Sequence, residues 1–379
     1  MAHAYVPGLK VLARTVIRKE RKLPLEGEVL VEKDSIVRSK DVVARALLPG
    51  PVDIINAANK LGIDPKELSF FLLKKEGDRV EEGEVIVKYS SFFGLFKQEI
   101  KSNLTGIVES ISLATGQIIL RKDPTPIEVI AFVDGIVENV IPKTGVVVKT
   151  YGTYIQGIFG VGREKIGKLN VLVEDNSKEL MDISLLDKVK KGDIIVGGSY
   201  ISKEFIDKSV EKGVVGIIVG GIDAETLKQM LGYEIGVAVT GTEDIPVTFV
   251  VTEGFGKINM AEKTFDLLKK SHGRAVSISG ATQIRAGVIR PEIIIPYLEE
   301  IESIKDINEI PISTVLQEGA FVRVIREPYF GKIAVITELI EEPYPIPTES
   351  KVRVAKIKIL DTGEEVIFPR ANIEIIEEK

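Results

Sequence analysis

Glu318-Gly319-Ala320-Phe321-Val322-Arg323-Val324-Ile325-Arg326-Glu327-Pro328-Tyr329-Phe330-Gly331-Lys332-Ile333-Ala334-Val335-Ile336-Thr337-Glu338-Leu339 is the stretch on which the architecture turns. Phe321, Arg323 and Ile325 alternate with Val322, Val324 and Arg326, the period of a strand with two distinct faces. Pro328-Tyr329-Phe330-Gly331 supplies a turn, and Ile333, Val335 and Ile336 resume the extended run, so the segment predicts a hairpin of a small barrel. Downstream, Pro343 to Glu349 is a proline-stiffened loop. Val352 to Leu360 alternates as a strand, Asp361-Thr362-Gly363 turns it into Val366-Ile367-Phe368, and Pro369-Arg370-Ala371-Asn372 leads to a final strand.

Toward the N-terminus the period stays short. Val11, Ala13, Thr15 and Ile17 alternate with polar neighbours, and a hairpin-like cadence of glycine, strand, polar turn and strand begins at Gly27. The cadence recurs at Lys75–Val87, at Thr105–Leu120 and at Asp134–Val148. Between the first two copies, Val52, Ile55, Ala58 and Asn59 fall on one helical face. Gly62-Ile63-Asp64-Pro65 breaks that helix, and Asp64 is placed to cap the next.

From about residue 165 the pattern changes. Asp193 to Ser199 reads as a buried strand ending in glycines, Ser202 caps a helix to Glu211, Val214 to Val219 is a strand and Ala224 to Met230 a helix. Ile235 to Val239 is expected as the third strand, Ile245 to Thr252 as another, and Ile258 to Lys270 as a helix stopped at His272-Gly273. This order predicts a small parallel sheet with right-handed crossovers.

The Glu318–Leu339 segment resembles the KOW motif of NusG-type transcription factors and some ribosomal proteins. Gly331 stands at that family's turn glycine, whereas Ala334 stands where many members carry a second glycine. The resemblance implies an SH3-like β-barrel that meets protein or nucleic acid. The N-terminal cadence resembles lipoyl and biotinyl carrier domains and implies a barrel-sandwich hybrid. No Met-Lys-Met or Asp-Lys-Ala tip occurs, so the likeness implies the fold without the lipoate or biotin. The middle resembles swivelling α/β domains in outline. The expected fold is therefore multidomain α+β: a β-rich barrel-sandwich hybrid over residues 1–160 with a helical insert near 51–73, an α/β domain over 161–290, a linker over 291–310 and a KOW/SH3-like β-barrel over 311–379.

Composition narrows the chemistry. The 379 residues include no Cys, no Trp and two His, which removes thiolate nucleophiles, cysteine metal ligation and any His-rich metal site. No apolar run is long enough for a membrane helix, and Lys10, Arg14, Arg18, Lys19, Arg21 and Lys22 interrupt any signal-peptide core, so a cytoplasmic protein is expected. Abundant Ile, Val, Glu and Lys suit a thermophilic source. The net charge of −6 disfavours a surface devoted to phosphate, although Lys and Arg outnumber acids over residues 1–50.

Several groups are candidates for contact. Arg323, Arg326, Tyr329, Phe330, Lys332 and Arg370 are expected to form a partner-binding surface, because arginines beside exposed aromatics suit protein partners and bases alike. Phe93, within Tyr89–Phe96, adds an aromatic hairpin tip, the alternative being burial of those rings. Gly197, Gly198, Ser199, Gly220 and Gly221 follow buried strands and could offer N–H groups to an anion, although neither is a P-loop and glycines are common in tight turns. His272 with Arg274 and Arg285 is the remaining cluster, read foremost as a helix-end dipole contact. Arg18 to Lys22 reads as a solvated turn. No cofactor or metal is expected. The expected function is a non-enzymatic adaptor or scaffold for protein partners; the alternatives are a nucleic-acid-binding factor of transcription or translation, and a phosphate-ligand protein or enzyme using the α/β domain.

Overall fold

The computed structural model describes residues 9–91, 96–232, 239–241, 243–283, 289–297, 316–324, 328–329, 332–340, 342–345 and 351–375. The chain is β-rich and multidomain, built on several sheets. It opens with β1 (Val11–Lys22), β2 (Glu28–Val29), β3 (Ile36–Val37) and β4 (Val42–Leu48). Next come β5 (Val52–Asn56), α1 (Ala57–Leu61), a 3₁₀ turn at Pro65–Phe70, β6 (Arg79–Val80), β7 (Val85–Ser91), β8 (Phe96–Lys101), β9 (Gly106–Ser112) and β10 (Gln117–Lys122). The series closes with β11 (Thr125–Ile130), β12 (Gly135–Ile141) and β13 (Gly145–Gln156). Arg18 to Lys22 is the end of β1, correcting the solvated turn expected there.

The four cadences pair in a nested way, first with fourth and second with third. β4 pairs β11 from Val42↔Ile130 to Leu48↔Thr125, and β7 pairs β8 from Val85↔Lys101 to Ser91↔Phe96, each with a register shift at the inner end. The turns repeat as well. Asp34 N donates to Val137 O and Val137 N to Ser35 O; Gly77 N donates to Val108 O and Val108 N to Asp78 O. Both turns need a positive φ, 67° at Asp34 and 86° at Gly77, which Asp tolerates and Gly adopts freely. Ser39 N is received by the Asp134 carboxylate and Glu82 N by the Thr105 hydroxyl.

Residues 51–122 are thus a complete second β unit, with its own core of Ile55, Leu68, Val80, Ile86, Val108, Ile118 and Leu120, set at the end of the β4–β11 hairpin. The helical insert expected near 51–73 is corrected. Its apolar spacing was that of β5, which pairs β10 along Val52–Asn56, while helix is confined to the short α1 and the 3₁₀ turn. Gly62, at φ 66°, ends α1, and the Asp64 carboxylate receives Lys66 N to start the 3₁₀ turn at Pro65.

The α/β part runs β14 (Phe159–Val161), β15 (Lys165–Val171), β16 (Asp193–Val196), α2 (Lys203–Glu211), β17 (Gly216–Ile222), α3 (Ala224–Leu231), β18 (Val239–Thr240), β19 (Thr248–Phe255), α4 (Glu262–Lys270), β20 (Ala275–Ser279), β21 (Thr282–Gln283) and β22 (Glu292–Pro296). β15, β16, β17 and β19 are parallel neighbours. Phe205 of α2 and Leu227 of α3 bury on one face, Phe265 and Leu268 of α4 on the other. The Ser202 hydroxyl caps α2 by accepting Phe205 N.

Two expectations fail here. Of the third strand expected at 235–239, Val239 belongs to β18, which pairs antiparallel with β21, and the rest lies outside the described residues; the strand that follows β17 in the parallel set is β19, in the stretch where a further strand was expected at 245–252. The linker expected over 291–310 contains β22, every residue of which is buried; residues 298–310 lie outside the described residues. β22 is hydrogen-bonded to β20 on one side and β13 on the other, which makes one sheet ordered β14-β19-β17-β16-β15-β20-β22-β13-β12-β3. The boundary expected at residue 160 therefore falls inside a single sheet.

The C-terminal unit comprises β23 (Phe321–Val324), β24 (Ile333–Leu339), β25 (Tyr344–Pro345), β26 (Lys351–Val352), β27 (Val354–Ile359), β28 (Glu365–Pro369) and β29 (Ile373–Ile375). Its main sheet is antiparallel, ordered β28-β27-β24-β23-β29, with a 3₁₀ turn at Arg370–Asn372 before the last strand. β23 and β24 form the hairpin read from the sequence, with Phe321 opposite Val335 and Val322 and Val324 inside the core.

Because the nested unit closes its own core, residues 50–123 expressed alone should give dispersed amide resonances. The remaining chain, with a short glycine-asparagine turn in their place, should melt cooperatively. Loss of folding in either product would show that the two units share one core.

Candidate functional site

Arg323, expected on a partner surface, is buried. Its Nη1 lies 3.0 Å from Glu253 Oε2, with 7% and 1% of the two side chains exposed. Glu253 projects from β19, and its Oε1 receives Ala261 N at 2.9 Å, at the start of α4, where no side chain of the capping residue does so. A carboxylate at that end of a helix is favoured by the aligned peptide dipoles, and the guanidinium compensates its charge away from water. This pair ties β23 of the C-terminal unit to the α/β part, so the Arg323 expectation is corrected: a strand arginine on the face opposite Val322 and Val324 is covered by the neighbouring unit.

Beside the pair lies a cleft of about 1260 Å³, walled by Asn176, Lys257, Asn259 and Lys270 on one side and by Lys332 and Asp361 on the other. Lysines and acids share its lining. Lys332 is exposed but ion-paired with Asp361, whose carboxyl that hydrogen bond holds below its ordinary range.

Other residues of the expected surface are bound inward. Arg370 donates from Nε to Val354 O at 3.0 Å and from Nη2 to Ile340 O at 2.9 Å, so it braces the barrel. Tyr329 is half-buried, edge-on to Phe368 at 6.1 Å, and its hydroxyl donates to Glu364 Oε1 at 2.8 Å. That hydrogen bond raises the phenol above its ordinary pKa. Arg326, Phe330 and Phe93 lie outside the described residues.

The anion cradle expected from the glycines is also corrected. Gly197 N donates to Ile218 O, Gly198 N and Ser199 N to Lys178 O, Gly220 N to Gly198 O and Gly221 N to Ser199 O. Every donor in the set is already used. A Cβ on Gly220 would stand 2.3 Å from Ile258 O, and one on Gly221 2.0 Å from Gly256 O, so these glycines serve close backbone packing.

His272 is exposed and its Nδ1 accepts Val171 N at 3.0 Å, which leaves Nε2 as the protonated nitrogen of the neutral ring. Arg274 stacks on Tyr297 at 5.0 Å, and Arg285 lies outside the described residues. The polar cluster that sequence reasoning missed is Lys19, Tyr154 and Glu292, on three adjacent strands. Glu292 receives the Lys19 ammonium and, at 3.1 Å, the Tyr154 hydroxyl. Burial above all, then the Glu292 charge, pushes the Tyr154 phenol well above its ordinary value. Its residues are spread over 273 positions of chain, so no local motif announces it.

Among the described residues, no group of three or more His, Cys, Asp or Glu is placed to hold a metal ion, and no helix is long and apolar enough to cross a membrane. No protein-family model and no curated protein matches the chain.

Arg323→Met would leave the Glu253 carboxylate buried without its cation, so urea unfolding should show a loss of about 3–5 kcal/mol, with part recovered in the Glu253→Gln/Arg323→Met double variant. A loss below about 1 kcal/mol would mean that water reaches the pair.

Tyr154 is raised in the folded state, so its contribution is fully present below the unfolded phenol value of about 10 and declines as pH rises beyond it. Chemical melts of wild type and Tyr154→Phe across that range should show a steeper alkaline loss in wild type. Parallel curves would contradict the assignment.

Proposed function

We propose that the chain is a non-enzymatic scaffold that docks protein partners through its β-rich units. In this reading the C-terminal unit is a KOW-type SH3-like barrel, the two nested units are barrel-sandwich hybrids without a carrier lysine, and the central part is a swivelling-type α/β domain. Support for the barrel comes from the antiparallel order β28-β27-β24-β23-β29 and the 3₁₀ turn before β29. Support for the hybrids comes from the duplicated hairpin registers.

One observation carries the docking reading. Large apolar side chains stand in solvent on the nested unit and the hairpin that bears it: Phe70 is 81% exposed, Leu47 62%, Leu73 55% and Ile54 53%. Exposed apolar surface marks interaction sites where it is gathered rather than scattered. Leu73 and Leu113 also edge a shallow groove of about 600 Å³ that includes Leu72 and Ile111. By contrast Arg323, Arg370 and the five amides after β16 and within β17 are engaged internally, which leaves the nucleic-acid and anion readings without those groups.

Phe70→Ser/Leu73→Ser should melt within a degree or two of wild type while losing proteins that immobilised wild type retains from its own cell extract. Equal retention by both would contradict docking at this groove. Tight binding of RNA or DNA that falls steeply with salt would replace the scaffold reading with a nucleic-acid one.

A further inference from the structure

We propose that β5 is a self-association edge, pairing antiparallel with β5 of a second copy of this chain. Two four-stranded sheets then become one continuous sheet across a two-fold axis. This deepens the docking reading by naming one partner and rests on the nested unit being an outward-facing element.

β5 ends the sheet β5-β10-β9-β6 and, among the described residues, is paired with β10 alone. Lys122 N donates to Pro51 O, and in an antiparallel ladder bonded pairs alternate with unbonded ones. Asp53 and Ile55 therefore spend their backbone groups on β10. Val52 and Ile54 turn theirs to the open side, as Asn56 does its N–H, the Asn56 carbonyl being taken by the first turn of α1; the same residues carry exposed side chains, 47% for Val52 and 53% for Ile54.

The internal repeat supplies the comparison. In the first unit the equivalent strand is the end of β1, since Lys22 faces Gly145 at the start of β13 as Asn56 faces Gln117 at the start of β10. That edge reads Arg18-Lys19-Glu20-Arg21-Lys22, and unbroken charge is how sheet edges are kept from pairing. β5 reads Val52-Asp53-Ile54-Ile55-Asn56 in the same place. The same architecture thus stands with a charged edge in one unit and an apolar one in the other, so the apolar edge is not demanded by the fold.

A second copy fits this edge in one register. With Ile54 on the axis, Ile54 meets Ile54 of the second copy and Val52 meets its Asn56, giving about four main-chain hydrogen bonds, since the Asn56 carbonyl is taken by α1. A register centred on Asp53 also pairs outward residues, Val52 with Ile54 of the second copy, but it sets the two Asp53 carboxylates face to face, and one centred on Ile55 pairs only Ile54 with Asn56. With Ile54 on the axis, Asp53 instead lies opposite Ile55 of the second copy, so the two Asp53 carboxylates do not confront each other. One strand in from the edge, Arg121, which stands opposite Val52, is already balanced by Glu109 at 2.6 Å. Two such edges brought together oppose both signs to both signs, which a partner of one dominant charge would not match.

Size-exclusion chromatography with light scattering on the full chain, across a dilution series, should give twice the chain mass at the concentrated end. Ile54→Lys, which copies the charged edge of β1, should halve that mass without moving the melting temperature. A wild-type monomer throughout, or a dimer that survives in a folded Ile54→Lys, would overturn the proposal. Should that variant fail to fold, hydrogen exchange on wild type decides: the amides of Val52, Ile54 and Asn56 should gain protection as concentration rises, and concentration-independent fast exchange would overturn it. Phe70→Ser/Leu73→Ser should remain dimeric, so loss of other protein partners in that variant is read separately from self-association.

Discussion

β13 is hydrogen-bonded along one edge to β1 for nearly its whole length, and along the other first to β12 and then to β22. That double engagement is the constraint from which the remaining architecture follows. The Gly145 end of the strand closes the first β-rich unit, and the Gln156 end delivers the chain into the α/β sheet. Because β22 returns to lie between β13 and β20, late sequence locks early sequence in place, and the two parts cannot separate without breaking one of the two ladders that β22 makes. Thr153, on β13, adds a side-chain tie by hydrogen-bonding the Tyr297 hydroxyl just after β22.

Onto this frame two elements are mounted by different means. The nested unit is carried on the β4–β11 hairpin by continuous strands, and its core is separate from that of the first unit. The C-terminal unit is joined by a buried ion pair beside a wide, polar cleft. A buried pair contributes modest net stability because desolvation offsets most of the attraction, yet it fixes geometry strongly once formed. The frame is therefore held by sheet continuity, and the C-terminal unit by an electrostatic contact that specifies where it sits.

Much of the local structure was legible in the sequence. The β23–β24 hairpin, α2 with its Ser202 cap, α3 and the four recurring cadences all carry their period and turn chemistry in contiguous residues. The pairing of those cadences was not, because nested insertion leaves each local pattern intact and changes only which copy meets which. β22 was hidden by its prolines, Pro291 and Pro296, which flank Ile293-Ile294-Ile295 and resemble linker punctuation. At the candidate site, alternation set Arg323 on the face away from Val322 and Val324, yet nothing local reports that Glu253 would cover that face. The glycine turns were found, but their donors are consumed by strands distant in sequence.

The central claim is that one continuous sheet unites the first β-rich unit with the α/β part. Native-state hydrogen exchange tests it most directly. The account predicts that amides of Gly145–Gln156, Glu292–Pro296 and Asp193–Val196 share the slowest exchange class and lose protection together as denaturant rises. Separate loss of protection at Gly145–Gln156 and Asp193–Val196, with fast exchange across Glu292–Pro296, would contradict it and restore two domains joined by a linker.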